Sequence, residues 1–136
     1  MANVVIAGGS EETRLLLRGL VRLHHHRVVA EGHGPETLAA LAPELEAPVL
    51  ILDVDIDDPV WAHQLSRTVA DHPGARAVLV TSNRSAAADE RAYQAGIHFL
   101  LKRPFAVHDL VDAITPSTPP EGPAAPSPPP PDGRAP

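Results

Sequence analysis

The chain has 136 residues, enough for one domain. Its formal net charge is −6, with no Lys/Arg run, so it lacks the clustered basic face that nucleic-acid binding needs. With no cysteine it has no disulfide, thiolate metal site or cysteine nucleophile. No apolar run approaches a membrane span, and Met1-Ala2-Asn3-Val4-Val5-Ile6 has neither the basic region nor the apolar length of a signal peptide, so a cytoplasmic location is expected.

Val4–Ala7 is a continuous, partly β-branched run stopped by Gly8-Gly9, the pattern of a buried strand. Ser10 stands before Glu11-Glu12-Thr13 as an N-cap with acids in the first turn. Leu16, Leu17, Leu20, Val21 and Leu23 then recur at helical spacing. His24-His25-His26 closes that helix. Adjacent residues on a helix end point in different directions, so the triplet reads as a solvated terminus in favourable contact with the helix dipole.

Val28–Ala30 is a second strand. Gly34-Pro35 opens a second helix, with Leu38 and Leu41 inward and Pro43 near its end. Val49–Leu52 is a central strand, apolar on both faces, ending in Asp53. Asp55, Asp57 and Asp58 form an acidic loop without the glycine and late glutamate of a calcium loop. The helix that follows carries Trp61, Leu65 and Val69 on one side, with Trp61 as a packing residue.

Ala77–Val80 is the fourth strand, ending in Thr81-Ser82-Asn83. Ala86–Ala95 is a helix with little bulk to bury, closed by Gly96. Ile97–Leu101 is the fifth strand and leads into Lys102-Arg103-Pro104-Phe105. Val107, Leu110, Val111 and Ile114 make the last helical stripe.

A strand–helix unit repeated five times, with short and fully apolar strands, implies an α/β fold with a parallel sheet covered on both faces. Chemistry in such folds gathers outside the carboxyl ends of the strands. Those ends are Gly8-Gly9, Gly32, Asp53, Thr81 and Lys102, which bring an acid, a hydroxyl and an amine to one edge. A carboxylate near an ammonium and a hydroxyl suits acceptance of a phosphoryl group. Lys102 is conspicuous because all ten other basic residues are Arg.

On Leu50-Ile51-Leu52-Asp53-Val54, Val78-Leu79-Val80-Thr81-Ser82 and Gly96 to Lys102 before a proline, the sequence resembles the bacterial response-regulator receiver domain over residues 3–114. The resemblance implies a flavodoxin-like (βα)5 sheet in strand order 2-1-3-4-5 and a domain spanning 1–114. It implies Asp53 as phosphoacceptor, Thr81 as coupling hydroxyl, Lys102 as counter-ion and Phe99 as the aromatic switch. It also implies a Mg²⁺ site, with ligands from Asp53 and the backbone carbonyl of Asp55. The partner face would lie on residues 85–114, and the partner would be a protein such as a histidine kinase.

The chain departs from that pattern where receivers carry an acidic pair after strand one. Gly8-Gly9 stands there instead, so Mg²⁺ binding and Mg²⁺-dependent phosphorylation are expected to be weak or lost. Asp53 and Lys102 would then pair one-to-one. Arg103 is inserted before Pro104, and any cis bond there would be Arg103–Pro104. The expected function is a phosphorelay signalling switch of atypical type, a binding module and not an enzyme. The alternative is a small nucleotide- or ligand-binding protein that cradles an anion on the Gly8-Gly9-Ser10 turn, although G-x-G-x-x-G is missing.

Ten of the sixteen prolines fall in 115–136, which has no aromatic and no aliphatic residue larger than alanine. That segment reads as an extended, disordered tail.

Overall fold

The computed structural model describes residues 2–82 and 84–115. Alternation of short apolar runs with helices gives β1 (Asn3–Gly8), α1 (Glu11–Leu23), β2 (Arg27–Gly32), α2 (Glu36–Ala39) and β3 (Val49–Asp53). It continues with α3 (Pro59–Asp71), β4 (Arg76–Thr81), α4 (Ala86–Gln94), β5 (Phe99–Lys102) and α5 (Val107–Ile114). The strands form one parallel sheet in the order β2-β1-β3-β4-β5. This is the flavodoxin-like order expected from the sequence. The proline-rich positions 116–136 lie outside the described residues.

Side chains alternate across the strands, and this sorts the core into two layers. Val4, Ile6, Ile51, Val78, Val80 and Leu101 face α1 and α5, where Leu17, Val21, Leu110 and Ile114 cover them. Val5, Ala7, Leu50, Leu52, Ala77 and Leu79 face α2, α3 and α4, against Leu38, Trp61, Leu65 and Ala92. The central strands are buried on both faces, which is why their sequences are continuously apolar.

Helix starts follow their caps. Ser10 accepts from the Thr13 N–H at 3.1 Å, Asp58 from Val60 at 2.9 Å and Ser85 from Ala88 at 3.0 Å. Two boundaries differ from the sequence reading. α2 is a single turn in which Leu38 is buried, and Leu41 lies beyond its end. Prolines at 43 and 48 bracket the segment that follows and prevent a longer helix. β5 begins at Phe99, two residues late, because Ile97 and His98 close the turn: Ile97 N–H bonds Ala92 O, and His98 N–H bonds Ala77 O.

The histidine triplet is also more engaged than expected. His24 caps α1, with its Nδ1 3.0 Å from the Leu20 carbonyl oxygen. His26 is not simply solvated: its Nδ1 accepts the Ala2 N–H at 2.9 Å, beside the start of β1. His98 repeats that arrangement next to β5, where its Nδ1 accepts the Ala77 N–H at 2.9 Å. Each ring thus supplies a backbone hydrogen bond where a ladder begins.

Candidate functional site

The carboxyl ends of β1, β3, β4 and β5 meet at one edge. Gly8 is the register partner of Asp53, and Thr81 is the partner of Lys102. Asp53 follows Ile51 by two residues and so lies on the α1/α5 face. Its side chain retains 17% exposure.

Gly8 and Gly9 have φ of +87° and +71°. A Cβ on Gly9 would stand 2.6 Å from Asp53 Oδ2, and one on Gly8 would stand 2.5 Å from the Asp53 carbonyl oxygen. The carboxylate therefore rests against a backbone that only glycine makes without strain. Arg14 NH1 donates to the Gly9 and Gly8 carbonyls at 2.7 and 3.2 Å, and His33 Nδ1 lies 3.2 Å from the Gly9 carbonyl oxygen. These contacts hold the turn in place.

The cation on Asp53 is Arg103. Its NH1 donates to Asp53 Oδ2 at 2.8 Å, and its Nε donates to Ser82 Oγ at 3.2 Å. The Asp53–Lys102 pair expected from the sequence is corrected by this geometry. Lys102 follows Leu100 on the α2–α4 side, opposite Thr81, and is exposed. Arg103 comes one residue later, in step with Leu101 and Asp53. It bonds through its backbone N–H to the Thr81 carbonyl and stands before the cis peptide at Pro104.

The same parity sets the face of the aromatic. Phe99 pairs with Val78, which belongs to the α1/α5 layer, so it lies across the sheet from Thr81. Arg76 sits 5.2 Å from the Phe99 ring centroid and donates through NH1 to the carbonyls of Ala113 and Thr115, both at 3.1 Å. Phe99 thus belongs to a clamp on the end of α5. On Thr81's face the β5 residue is Leu100, and a cavity of about 210 Å³ opens beside it between Thr81, Val54, Ile56, Leu79 and Ala88. An ion pair between Arg91 and Asp57 (3.0 Å) ties α4 to the β3–α3 loop at its rim.

The donor set does not fit the metal that the receiver resemblance implies. The Asp53 carboxylate is engaged by Arg103, and the Asp55 carbonyl already accepts the Asp58 N–H at 3.0 Å. Among the described residues no three His, Cys, Asp or Glu side chains converge. A hard divalent cation needs several oxygens.

Burial lowers the pKa of His98 from 6.5, with Arg76 adding to the effect. Burial likewise lowers that of His26, helped by the positive charges of the neighbouring histidines. The Arg84 guanidinium, 2.6 Å from Asp89 at the start of α4, holds that carboxyl below its usual range.

No family model and no curated protein matches the sequence. Solved structures do match. A protein assigned to pilus assembly (CpaE) from Burkholderia thailandensis is 21% identical, covering 83% of this chain and 94% of its own, with a TM-score of 0.69. A Burkholderia pseudomallei response regulator, solved with a phosphorylated aspartic acid, a calcium ion and citrate, is 17% identical over 85% of this chain and 67% of its own, at TM-score 0.70. The chemotaxis protein CheY4 of Vibrio cholerae is 17% identical over 82% and 94%, at TM-score 0.68. The structural neighbours of this chain are thus response-regulator receiver domains, and its fold is the receiver fold.

Proposed function

We propose that the chain is a receiver-type signalling module of a two-component pathway whose Asp53 is held by an arginine in place of a metal. The Asp53–Arg103 ion pair over Gly9 carries this reading. In the resembling family, phosphoryl transfer to the aspartate runs through Mg²⁺. Here the acids that would bind it are glycines, and Arg103 neutralises the carboxylate directly. In this reading Asp53 would be the acceptor, with Thr81 and Ser82 beside it at the strand ends and Arg103 in the counter-ion role.

The module would act as a binding partner and not as an enzyme. A protein partner such as a histidine kinase or an output protein would meet it in the cytoplasm on residues 85–114. In support of a soluble module, no helix among the described residues is long and apolar enough to cross a membrane. The alternative of an anion cradled on Gly8-Gly9-Ser10 is disfavoured, because the Asp53 carboxylate already lies against Gly9 and would repel it.

The experiment is treatment with acetyl phosphate and Mg²⁺, followed by intact-mass measurement. No phosphoryl adduct on Asp53 is expected. Stoichiometric modification of Asp53 would overturn the arginine-held reading.

A further inference from the structure

We infer that the cleft between α2 and the second half of α3 binds a free aliphatic α-amino acid, held at both its ammonium and its carboxylate. This inference does not depend on the signalling role of Asp53. It rests first on His72, which caps the end of α3 and is only 5% exposed. Its Nδ1 donates to the Leu45 carbonyl oxygen at 2.9 Å. A carbonyl oxygen only accepts, so Nδ1 carries the proton of that bond and Nε2 is the ring's remaining polar site. Among the described residues no group bonds Nε2. A polar atom buried without a partner costs free energy, so it points to something that binds it.

The His72 ring lines a cavity of about 190 Å³. A second wall is one face of α3, where Gln64, Arg67, Thr68 and Asp71 fall at i, i+3, i+4 and i+7. A helix face turned toward a neighbouring element is ordinarily apolar, and this one is polar throughout. The Thr68 hydroxyl is satisfied within the helix, donating to the Gln64 carbonyl oxygen at 2.8 Å. Arg67 and Asp71 are neighbours of opposite sign one turn apart, yet among the described residues neither forms an ion pair. Leu38 and Leu41 supply the apolar wall from the side of α2.

Charge and size select the ligand. Arg67 and Asp71 put one positive and one negative group on the same wall, so an ion of single sign meets attraction and repulsion together. A zwitterion answers both: its carboxylate takes the Arg67 guanidinium and its ammonium takes the Asp71 carboxylate. The ammonium has three N–H donors, and Nε2 of His72 accepts one of them. An aliphatic side chain then covers Leu38 and Leu41. A volume of about 190 Å³ is below the ~300 Å³ at which sites for drug-sized ligands begin, so the occupant is small. A peptide is a poor match, because its two terminal charges lie at opposite ends of the chain, whereas a free amino acid carries both on one carbon.

The test is calorimetric titration of L-leucine into the full 136-residue chain, where a Kd of about 1 mM or tighter is expected. N-acetyl-leucine lacks the ammonium and leucinamide lacks the carboxylate; each is expected to bind about tenfold more weakly or worse. Arg67→Gln and Asp71→Asn alter exposed side chains and leave the melting curve unchanged, and each is expected to weaken leucine binding by about tenfold. Ser66→Ala, on the opposite side of α3, should bind as wild type does. His72 is buried, so its part is read in the wild type by NMR, where leucine is expected to shift the Nε2 resonance. No binding at about ten times the expected Kd, equal affinity for leucinamide or N-acetyl-leucine, indifference to both charge variants, or a stationary Nε2 resonance would each overturn the proposal.

Discussion

Arg103 and Asp53, 50 residues apart in the chain, are joined by a hydrogen-bonded ion pair of 2.8 Å at the carboxyl edge of the sheet. The neighbouring Lys102 points to the other side of β5. The pair is half-sheltered, with Asp53 the more buried partner. Arg103→Ala is expected to cost about 1 kcal/mol, because it strands a partly desolvated carboxylate. Lys102→Ala should stay within about 0.5 kcal/mol of wild type. Urea denaturation of both variants checks the contrast; equal losses would contradict the assignment.

Gly9→Ala combines a left-handed backbone with a methyl pressed onto Asp53 Oδ2, and is expected to destabilise by about 2 kcal/mol or more. Gly8→Ala should cost more, since its obstacle includes the Asp53 carbonyl, which cannot swing away. Thermal melts of the two variants rank them. Restoring an acidic pair at 8 and 9 meets the same obstruction, so the double aspartate variant should melt lowest.

His26 and His98 each accept a backbone N–H through Nδ1, which only a neutral ring does. Both have pKa values lowered in the folded state, so the unfolded chain binds protons first as pH falls. Stability is then full above the unfolded value of 6.5 and declines as pH drops from there through the lowered folded values. Urea midpoints measured from pH 7.5 down to about 5.5 should fall. His98→Ala should lower stability at neutral pH yet flatten that slope. A slope identical to wild type would show that His98 does not carry it.

α4 buries only Ala92 among its nine residues, and two exposed ion pairs, Arg84–Asp89 and Arg91–Asp57, supply much of its fastening. Exposed pairs contribute little. Its amides are expected to exchange with deuterium well before those of β3, whose first four residues are fully buried. Comparable protection in the two elements would refute this.

The topology was legible because the strands are short apolar runs cut off by Gly8, Asp53 and Thr81, and because helices separate them. The acid at the end of β3 was legible for the same reason. What escaped was parity on β5. Choosing Lys102 as the cation beside Asp53 stopped one residue short of Arg103, whose NH1 makes that contact. Stepping in twos from Leu101, which must face inward with Val80, assigns Arg103 to Asp53's face and Leu100 to Thr81's. Composition favoured the solitary lysine, but side-chain direction decides which cation arrives. The rings of His26 and His98 also escaped, since an imidazole standing in for a backbone acceptor leaves no periodic signature.

The Arg76 clamp has a bearing on how this domain is wired. By gripping the carbonyls of Ala113 and Thr115, it sets the exit of the chain beside the first residue of β4, at the floor of the sheet. The Asp53 edge is the roof. The two are separated by the full length of α5, eight residues or about 12 Å of helix. Thr115, the last described residue, is therefore anchored at the end of the molecule remote from the ion pair. Asp53 and Thr115 thus stand at opposite ends of α5.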